Sequence, residues 1–194
     1  MPVTIRDADP SDLPGMVDLL IEDGRRKHAL EPTLWKMAED ARQKTAEAVN
    51  FALRADKQPF RQKWLVAEHD GTLVGLTHSM LLPVPPIYAG KWGDPGRLLP
   101  DCFVAEAAPP GTLAALVEAA QADLRAAGAR LLLASFVSGE ALRSCLIGRG
   151  YEPLTLYLSK SGLEDIAVPG RARPASSEDL SGIVGRSAEN RTIL

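Results

Sequence analysis

The opening of the chain has the pattern of a short strand followed by an amphipathic helix. Val3-Thr4-Ile5 is a short β-rich run, which predicts a strand. Asp9-Pro10-Ser11-Asp12 carries a capping side chain and acidic residues, which is typical of a helix start. Apolar residues follow at helical spacing, namely Leu13, Met16, Val17 and Leu20. A second, more polar helix is predicted from about Glu31 to Arg54, with only a weakly apolar stripe.

The middle of the chain has the spacing of β-structure. The runs 64–67 and 73–76 are β-rich, and His69-Asp70-Gly71-Thr72 between them carries the Asp-Gly pair of a hairpin turn. The proline- and glycine-rich stretch 82–96 predicts a loop. Leu98 to Val104 predicts a buried strand, in which Pro100 requires a bulge or a local break because proline cannot donate to a ladder.

Helix and strand patterns alternate after this strand. Helices are predicted at 113–124 and 139–149, and strands at 130–134 and 154–159. This order predicts an α/β fold with a mixed central sheet of about six or seven strands flanked by helices. We assign this domain to residues 1–162.

Residues 163–194 contain a partial copy of the chain's opening. At a separation of 167 positions, seven residues from Arg6/Arg173 to Glu22/Glu189 are identical, where composition alone would give about one or two. The alternative is a chance likeness between two capped helices. The repeat predicts a linker followed by the first strand and helix of a second copy. Such a unit must dock on the first domain, swap onto a partner in a homodimer, or belong to a longer tandem protein.

Composition and charge exclude several function classes. The chain is 45% hydrophobic and 24% charged, with a net charge of -3, so no basic surface for nucleic acid or an anionic membrane is expected. The basic run Arg25-Arg26-Lys27 is expected to complement the dipole at a helix end. No apolar run approaches a membrane span, and two cysteines predict neither a disulfide framework nor a metal site. We expect a cytoplasmic protein.

Several short runs resemble the GCN5-related N-acetyltransferase (GNAT) superfamily. Ile5 to Leu13 is similar to its first strand and helix, Trp64 to Gly75 to its second and third strands, and Gly150-Tyr151 to the Gly-Phe pair that closes its fourth helix. The resemblance covers roughly residues 1–160. It implies an acyl-coenzyme A-dependent N-acyltransferase acting on a small amine.

The resemblance also implies where acetyl-coenzyme A (acetyl-CoA) is held. In this family the cofactor lies between two parallel strands, with its pyrophosphate on the start of the following helix. The corresponding residues are Phe103 and Val104 on the strand and Gly111, Thr112 and Leu113 at the helix start. The family signature is Arg/Gln-x-x-Gly-x-Gly/Ala, whereas residues 108–113 here are Ala-Pro-Pro-Gly-Thr-Leu. Its two prolines lack an N–H, so we expect a weakened phosphate site.

The catalytic positions implied by the resemblance have also changed. The family often carries Asn near the start of its fourth helix and, further along, a proton-donating Tyr, where this chain has Gly139 and Leu146. Asp101 and Glu106 are the candidates for the base that deprotonates the amine. Alternatively, both are ordinary polar residues at a strand edge. His78 is a candidate for the acceptor groove or a packing residue.

Two hypotheses of different classes follow. The chain is either a GNAT-type N-acyltransferase for an unidentified small amine or a catalytically silent GNAT-fold module that binds or supports a partner. A gap between the strand Asp101–Val104 and the strand Leu131–Ala134 favours the enzyme. A gap filled by Leu113, Leu146 or the prolines favours the silent module.

Overall fold

The computed structural model describes residues 2–54, 60–82, 93–137, 139–154, 173 and 175–191. The chain divides into two compact units, Met1–Thr155 and Leu156–Leu194. The elements of the first unit are β1 (Thr4–Asp7), α1 (Leu13–Leu30), α2 (Ala41–Arg54), β2 (Gln62–His69), β3 (Thr72–Leu81), β4 (Gly96–Val104), α3 (Thr112–Ala126), β5 (Leu132–Ala134) and α4 (Ala141–Ile147).

One mixed sheet organises the first unit. Its strand order is β1-β2-β3-β4-β5, with antiparallel pairs except for the parallel pair β4–β5. The mixed α/β class is therefore confirmed. Five strands lie in the described residues, fewer than the six or seven expected. The strand predicted over 154–159 falls outside the described residues except for Leu154, which is exposed and in no regular element.

The helix start near residue 9 is confirmed, but the predicted start of the second helix is wrong. Asp9 caps a 3-10 turn over Pro10–Asp12, and α1 begins at Leu13. The chain then leaves the helix at Glu31 (φ -146°, ψ 81°) and re-enters one only at Ala41. Pro32 explains the break, because the residue before a proline is driven out of the helical region.

The hairpin between β2 and β3 is confirmed. Asp70 and Gly71 both have positive φ, 50° and 74°, which suits the two-residue turn that matches the twist of the flanking strands. This turn fixes the register in which Val66 pairs with Leu76, so both side chains lie on the same face of the sheet.

Each face of the sheet carries its own apolar core. On one face α1 and α2 cover buried residues of β2, β3 and β4, namely Trp64, Val66, Leu76 and Phe103 with Met16, Leu19 and Val49. On the other face α3 and α4 contribute to a core of Leu65, Ala67, Val74, Leu98, Cys102, Leu116, Val117, Ala120, Leu142 and Leu146. Among the residues described, no helix is long and apolar enough to cross a membrane.

A glycine at the start of β4 allows the close approach of α3 and β5. A Cβ at Gly96 would lie 2.8 Å from Leu132 Cδ2 and 3.1 Å from Leu124 Cβ. We expect Gly96→Ala to lower the free energy of unfolding by about 1–3 kcal/mol, since this core must shift to admit a methyl group. Urea unfolding measures it. Gly182→Ala, on a helix where a Cβ meets nothing within 4 Å, is the matched control and should lose none. Equal stability of the two variants would contradict the packing argument.

The described part of the second unit repeats a local arrangement of the first. Arg6 donates to both carboxylate oxygens of Asp12, at 2.7 and 2.8 Å, and Arg173 does the same to Asp179, at 2.7 and 2.6 Å. A capping box and a 3-10 turn precede the helix in both units. That helix, α5 (Leu180–Arg191), exposes three large apolar side chains, Leu180, Ile183 and Val184.

Candidate functional site

The parallel strands β4 and β5 separate after three residue pairs. Gly96 to Leu98 pairs with Leu132 to Ala134, and the Ser135 N–H still donates to the Leu98 carbonyl at 3.3 Å. Within the described ranges, no strand pairs with β4 on this side beyond that point. The residues Asp101–Val104 therefore have no β5 partner among the described residues, and we call the region beside them the gap.

A bulge in β4 lies where the strands separate. Leu98 pairs with Ser79 and Cys102 with Thr77, so three residues of β4, with Pro100 in the middle, stand opposite His78. The predicted bulge at Pro100 is confirmed. A bulge bends its strand and leaves the extra residues outside the ladder, and this one follows directly on the last residue of β4 that pairs with β5.

The outer edge of β4 presents free backbone groups to the gap. The Ala105 N–H donates to the Val74 carbonyl at 2.9 Å, so by the alternation of an antiparallel ladder Phe103 is bonded to β3. The polar backbone groups of Cys102 and Val104 then point towards the gap. An extended chain of amides in the gap would find donors and acceptors there.

The start of α3 provides further backbone donors. Gly111 precedes the helix with φ +87°, a conformation that favours glycine. The N–H groups of Leu113 and Ala114 find no acceptor in the part of the chain that the structure describes. Thr112 differs, because its N–H and its hydroxyl both donate to the Pro109 carbonyl, at 3.3 and 2.7 Å. The helix start therefore offers an anion two free N–H groups but not the Thr112 hydroxyl.

The side chains of Phe103 and Val104 are structural. Phe103 is buried in the core under α1, where the Arg26 guanidinium lies 4.8 Å from its ring centroid. Val104 packs against the core of the opposite face. Since the Phe103 backbone is bonded to β3, only the backbone of Val104 is available to a ligand in the gap.

The two candidate bases lie in different places. Asp101 is in the bulge, its side chain is 39% exposed, and its Oδ2 is 3.7 Å from His78 Nδ1. His78 is held by Gln62, with Nε2 2.8 Å from Oε1, and stacks on Trp64 at 4.1 Å. Glu106 is exposed beyond the end of β4 and makes no hydrogen bond or ion pair with any residue described. The structure does not bring Asp101 and Glu106 together.

Two leucines of α4 pack in the core next to the gap. Leu142 and Leu146 are 3% and 1% exposed and belong to the same apolar cluster as Leu98 and Cys102. Leu113 is partly buried against this cluster. These side chains belong to the apolar core on the α3–α4 face of the sheet, in the same cluster as Leu98 and Cys102 on either side of the bulge.

Sequence analysis missed a buried lysine on the other side of the gap. Lys27 is 1% exposed, and its ammonium donates to Asp23 Oδ2 and to the Pro100 carbonyl, both at 2.5 Å. Glu140 Oε1 lies 3.9 Å away, and the Trp35 ring centroid 5.2 Å away. Lys27 does lie in the last turn of α1, as expected, but its ammonium is buried in contacts with other elements, which the sequence analysis did not predict. Its only trace in the sequence is the i,i+4 spacing from Asp23, which exposed pairs share.

Burial alters the acidity of the carboxylates around Lys27. It raises the pKa of Asp23 to about 6, although the Lys27 charge opposes this change. Burial also raises the pKa of Glu140, while the Val137 N–H, which donates to Glu140 Oε2 at 2.6 Å, opposes it. We call Asp23, Lys27, Glu140 and the Pro100 carbonyl the ammonium cluster. Among the described residues, no group of three or more side chains suited to a metal ion occurs.

Comparisons with known proteins place the fold. No family model matches the sequence, and no curated protein matches it. A predicted acetyltransferase from Clostridium acetobutylicum, solved with acetyl-CoA, has a TM-score of 0.64 at 14% identity, over 84% of this chain and 99% of that chain. A GCN5-related N-acetyltransferase from Ralstonia eutropha gives 0.59 at 16% identity, over 82% and 98%.

A third similar structure belongs to a protein named for a different role. A transcriptional regulator from Bacillus halodurans has a TM-score of 0.61 at 22% identity, over 82% of this chain and 99% of that chain. Identities this low carry a fold but not an activity. The architecture described above and these neighbours agree, and the chain has the fold of the GCN5-related N-acetyltransferases.

Proposed function

We propose that this chain binds acetyl-CoA in the gap between β4 and β5 and transfers the acyl group to a small primary amine. The observation that supports this most is the free edge of β4, which lies on the side where β5 separates from it. Backbone amides at such an edge recognise an extended amide-containing ligand by strand addition.

The residues present fit such a ligand unevenly. The backbone of Cys102 and Val104 suits the amide-bearing arm, and the Leu113 and Ala114 N–H groups suit one phosphate. Pro109 and Pro110 contribute no N–H. Fewer donors than the family signature provides predict weaker binding of the phosphates.

The chemistry supplied by acetyl-CoA is an acyl group held as a thioester. The amine nitrogen would form a bond to the acyl carbon as the carbon–sulfur bond breaks, the departing coenzyme A sulfur would take one proton, and a protein group would accept the proton that the ammonium loses before attack. Asp101 is the better candidate for proton acceptance, because it is solvent-accessible and lies in the bulge beside the gap. Glu106 is the second candidate.

The second candidate function is a catalytically silent GNAT-fold module. Burial of Leu146 at the position where the family often has a proton-donating Tyr supports it. The recurrence of the Arg6–Asp12 arrangement at Arg173–Asp179 further supports a partial second copy in residues 163–194. The exposed face of α5 would then pair with a second domain or with a partner chain in a homodimer.

Calorimetry with acetyl-CoA, and with coenzyme A as a control, separates the two candidates. Micromolar binding supports the acyltransferase and justifies a screen of small amines, with Asp101→Asn and Glu106→Gln as the first variants. No heat at millimolar acetyl-CoA excludes the acyltransferase for this chain and leaves the silent module.

A charge placed at the start of α3 tests the location of the phosphates. We expect Ala114→Glu to weaken acetyl-CoA binding at least about tenfold, because a carboxylate then competes with phosphate for the free N–H groups. The acidic residue should not destabilise the helix, since it lies in the first turn. Ala122→Glu, an equal change at an exposed position of the same helix, should alter affinity less than about twofold. Equal losses in both variants would place the phosphates elsewhere.

A further inference from the structure

The ammonium cluster joins α1 to the bulge of β4, where β4 no longer pairs with β5, and to the start of α4. Pro100 belongs to the bulge of β4, and Glu140 is the N-cap residue of α4, which follows β5. The Lys27 ammonium lies against both, as well as against Asp23 on its own helix. It therefore contacts both the bulge of β4 and the segment that follows β5.

The groups around Lys27 are those that recognise a primary ammonium. A carbonyl, two carboxylates and an aromatic ring surround the Lys27 nitrogen, and an ammonium has three N–H bonds to donate and no acceptor. Asp101, on β4, adds a further negative charge that acts on Asp23. The charged groups described near the cluster are thus one ammonium and three carboxylates, those of Asp23, Asp101 and Glu140. The His78 Nδ1 atom lies 3.7 Å from Asp101 Oδ2.

We propose that the ammonium cluster is a binding pocket for a primary ammonium group and that Lys27 is its tethered occupant, which keeps the acceptor side of the gap closed. The evidence for the pocket is the set of contacts that Lys27 makes. The statement that this pocket receives the acceptor amine rests on the proposed acyltransferase function. A free amine enters only when the Lys27 side chain is displaced.

Truncation of the lysine tests the pocket without acetyl-CoA. Lys27→Ala removes three methylene groups and the ammonium, the same set of heavy atoms that n-propylammonium supplies. We expect n-propylammonium chloride at about ten times its dissociation constant to raise the midpoint of thermal unfolding of Lys27→Ala by about 3–6 °C. Circular dichroism measures the midpoint at fixed pH and ionic strength.

Three controls make the result specific. n-Propanol has the same length without the charge and should give no such rise, and wild-type protein should not respond because its pocket is filled. Lys44→Ala breaks an exposed lysine–aspartate pair of the same spacing and should not respond to n-propylammonium. A rise of similar size with n-propanol, a similar rise in Lys44→Ala, or no rise in Lys27→Ala overturns the proposal.

A second variant covers the case in which Lys27→Ala does not fold. The double variant Asp23→Asn/Lys27→Ala removes the uncompensated carboxylate and retains the Pro100 carbonyl and Glu140. Its unfolding midpoint should still rise more with n-propylammonium than with n-propanol. Equal responses, or none, contradict the proposal.

The closing role is measured separately from the pocket. With acetyl-CoA and n-propylamine, Lys27→Ala should form the N-acetyl product at least tenfold faster than wild type, and equal rates contradict closure. If n-propylammonium raises the unfolding midpoint of Lys27→Ala but the protein does not bind acetyl-CoA, the pocket proposal stands and the acyltransferase proposal is contradicted. If the protein binds acetyl-CoA but n-propylammonium has no effect on Lys27→Ala, only the pocket proposal is contradicted.

Discussion

Lys27→Met should lower the free energy of unfolding by about 3–5 kcal/mol. Methionine keeps an unbranched side chain of similar length, so the packing of α1 is largely retained. The Asp23 carboxylate, however, loses its partner while it remains buried, and breaking one half of a buried pair leaves an uncompensated charge. The Pro100 carbonyl also loses its donor, which adds a desolvation cost.

Lys44→Met is the matched control for this prediction. Lys44 pairs with Asp40 at the same spacing, but both side chains are at least half exposed, so the loss should stay below about 1 kcal/mol. Urea unfolding at pH 7, followed by circular dichroism, measures both variants. Losses of similar size would mean that the Lys27 contacts contribute no more than a surface pair.

The stability of the wild type relative to Asp23→Asn should fall as the pH rises from about 4 to about 6. Burial raises the pKa of Asp23 to about 6 in the folded chain, against about 3.9 in an unfolded chain. Between these values the folded state binds more protons than the unfolded state, so the free energy of unfolding decreases with rising pH. The difference between the two pKa values corresponds to a change of about 3 kcal/mol in the free energy of unfolding. Asp23 and Glu140 interact, so this titration belongs to the pair of carboxylates.

The comparison with Asp23→Asn isolates this titration from that of the other carboxylates. Arg6 lowers the pKa of Asp12, which acts in the opposite direction but cancels in the difference between the two proteins. Urea midpoints at half-unit pH steps from 4 to 7 provide the data. A flat curve for Asp23→Asn would mean that Asp23 titrates normally in the folded chain.

Local sequence patterns predicted the elements because their causes are local. The Asp9 cap, the Asp-Gly turn at Asp70 and the bulge at Pro100 each follow from the backbone chemistry of one or two residues. The sequence analysis places the start of the second helix too early, because it follows the helical spacing of small residues and neglects Pro32. A proline drives the residue before it out of the helical region, and this effect is also local.

The candidate site was only partly predictable. The weakness of the phosphate site was visible in Pro109 and Pro110, because proline lacks an N–H in every context. The loss of Thr112 as a donor was not visible, because it depends on the hydroxyl turning back to the Pro109 carbonyl. Lys27 was missed because its contacts to Pro100 and Glu140 join residues far apart in the sequence.

The sequence by itself determined the order of elements, the turn and bulge positions and the mixed α/β class, since these depend on periodicity and backbone chemistry within a few residues. Only the tertiary structure decided where β4 leaves β5, which leucines pack beside the gap, and that a helix-end lysine is buried against two other elements. Those features depend on contacts between distant segments, and the same residue types at the same local spacing, as in Lys44 and Asp40, stay on the surface.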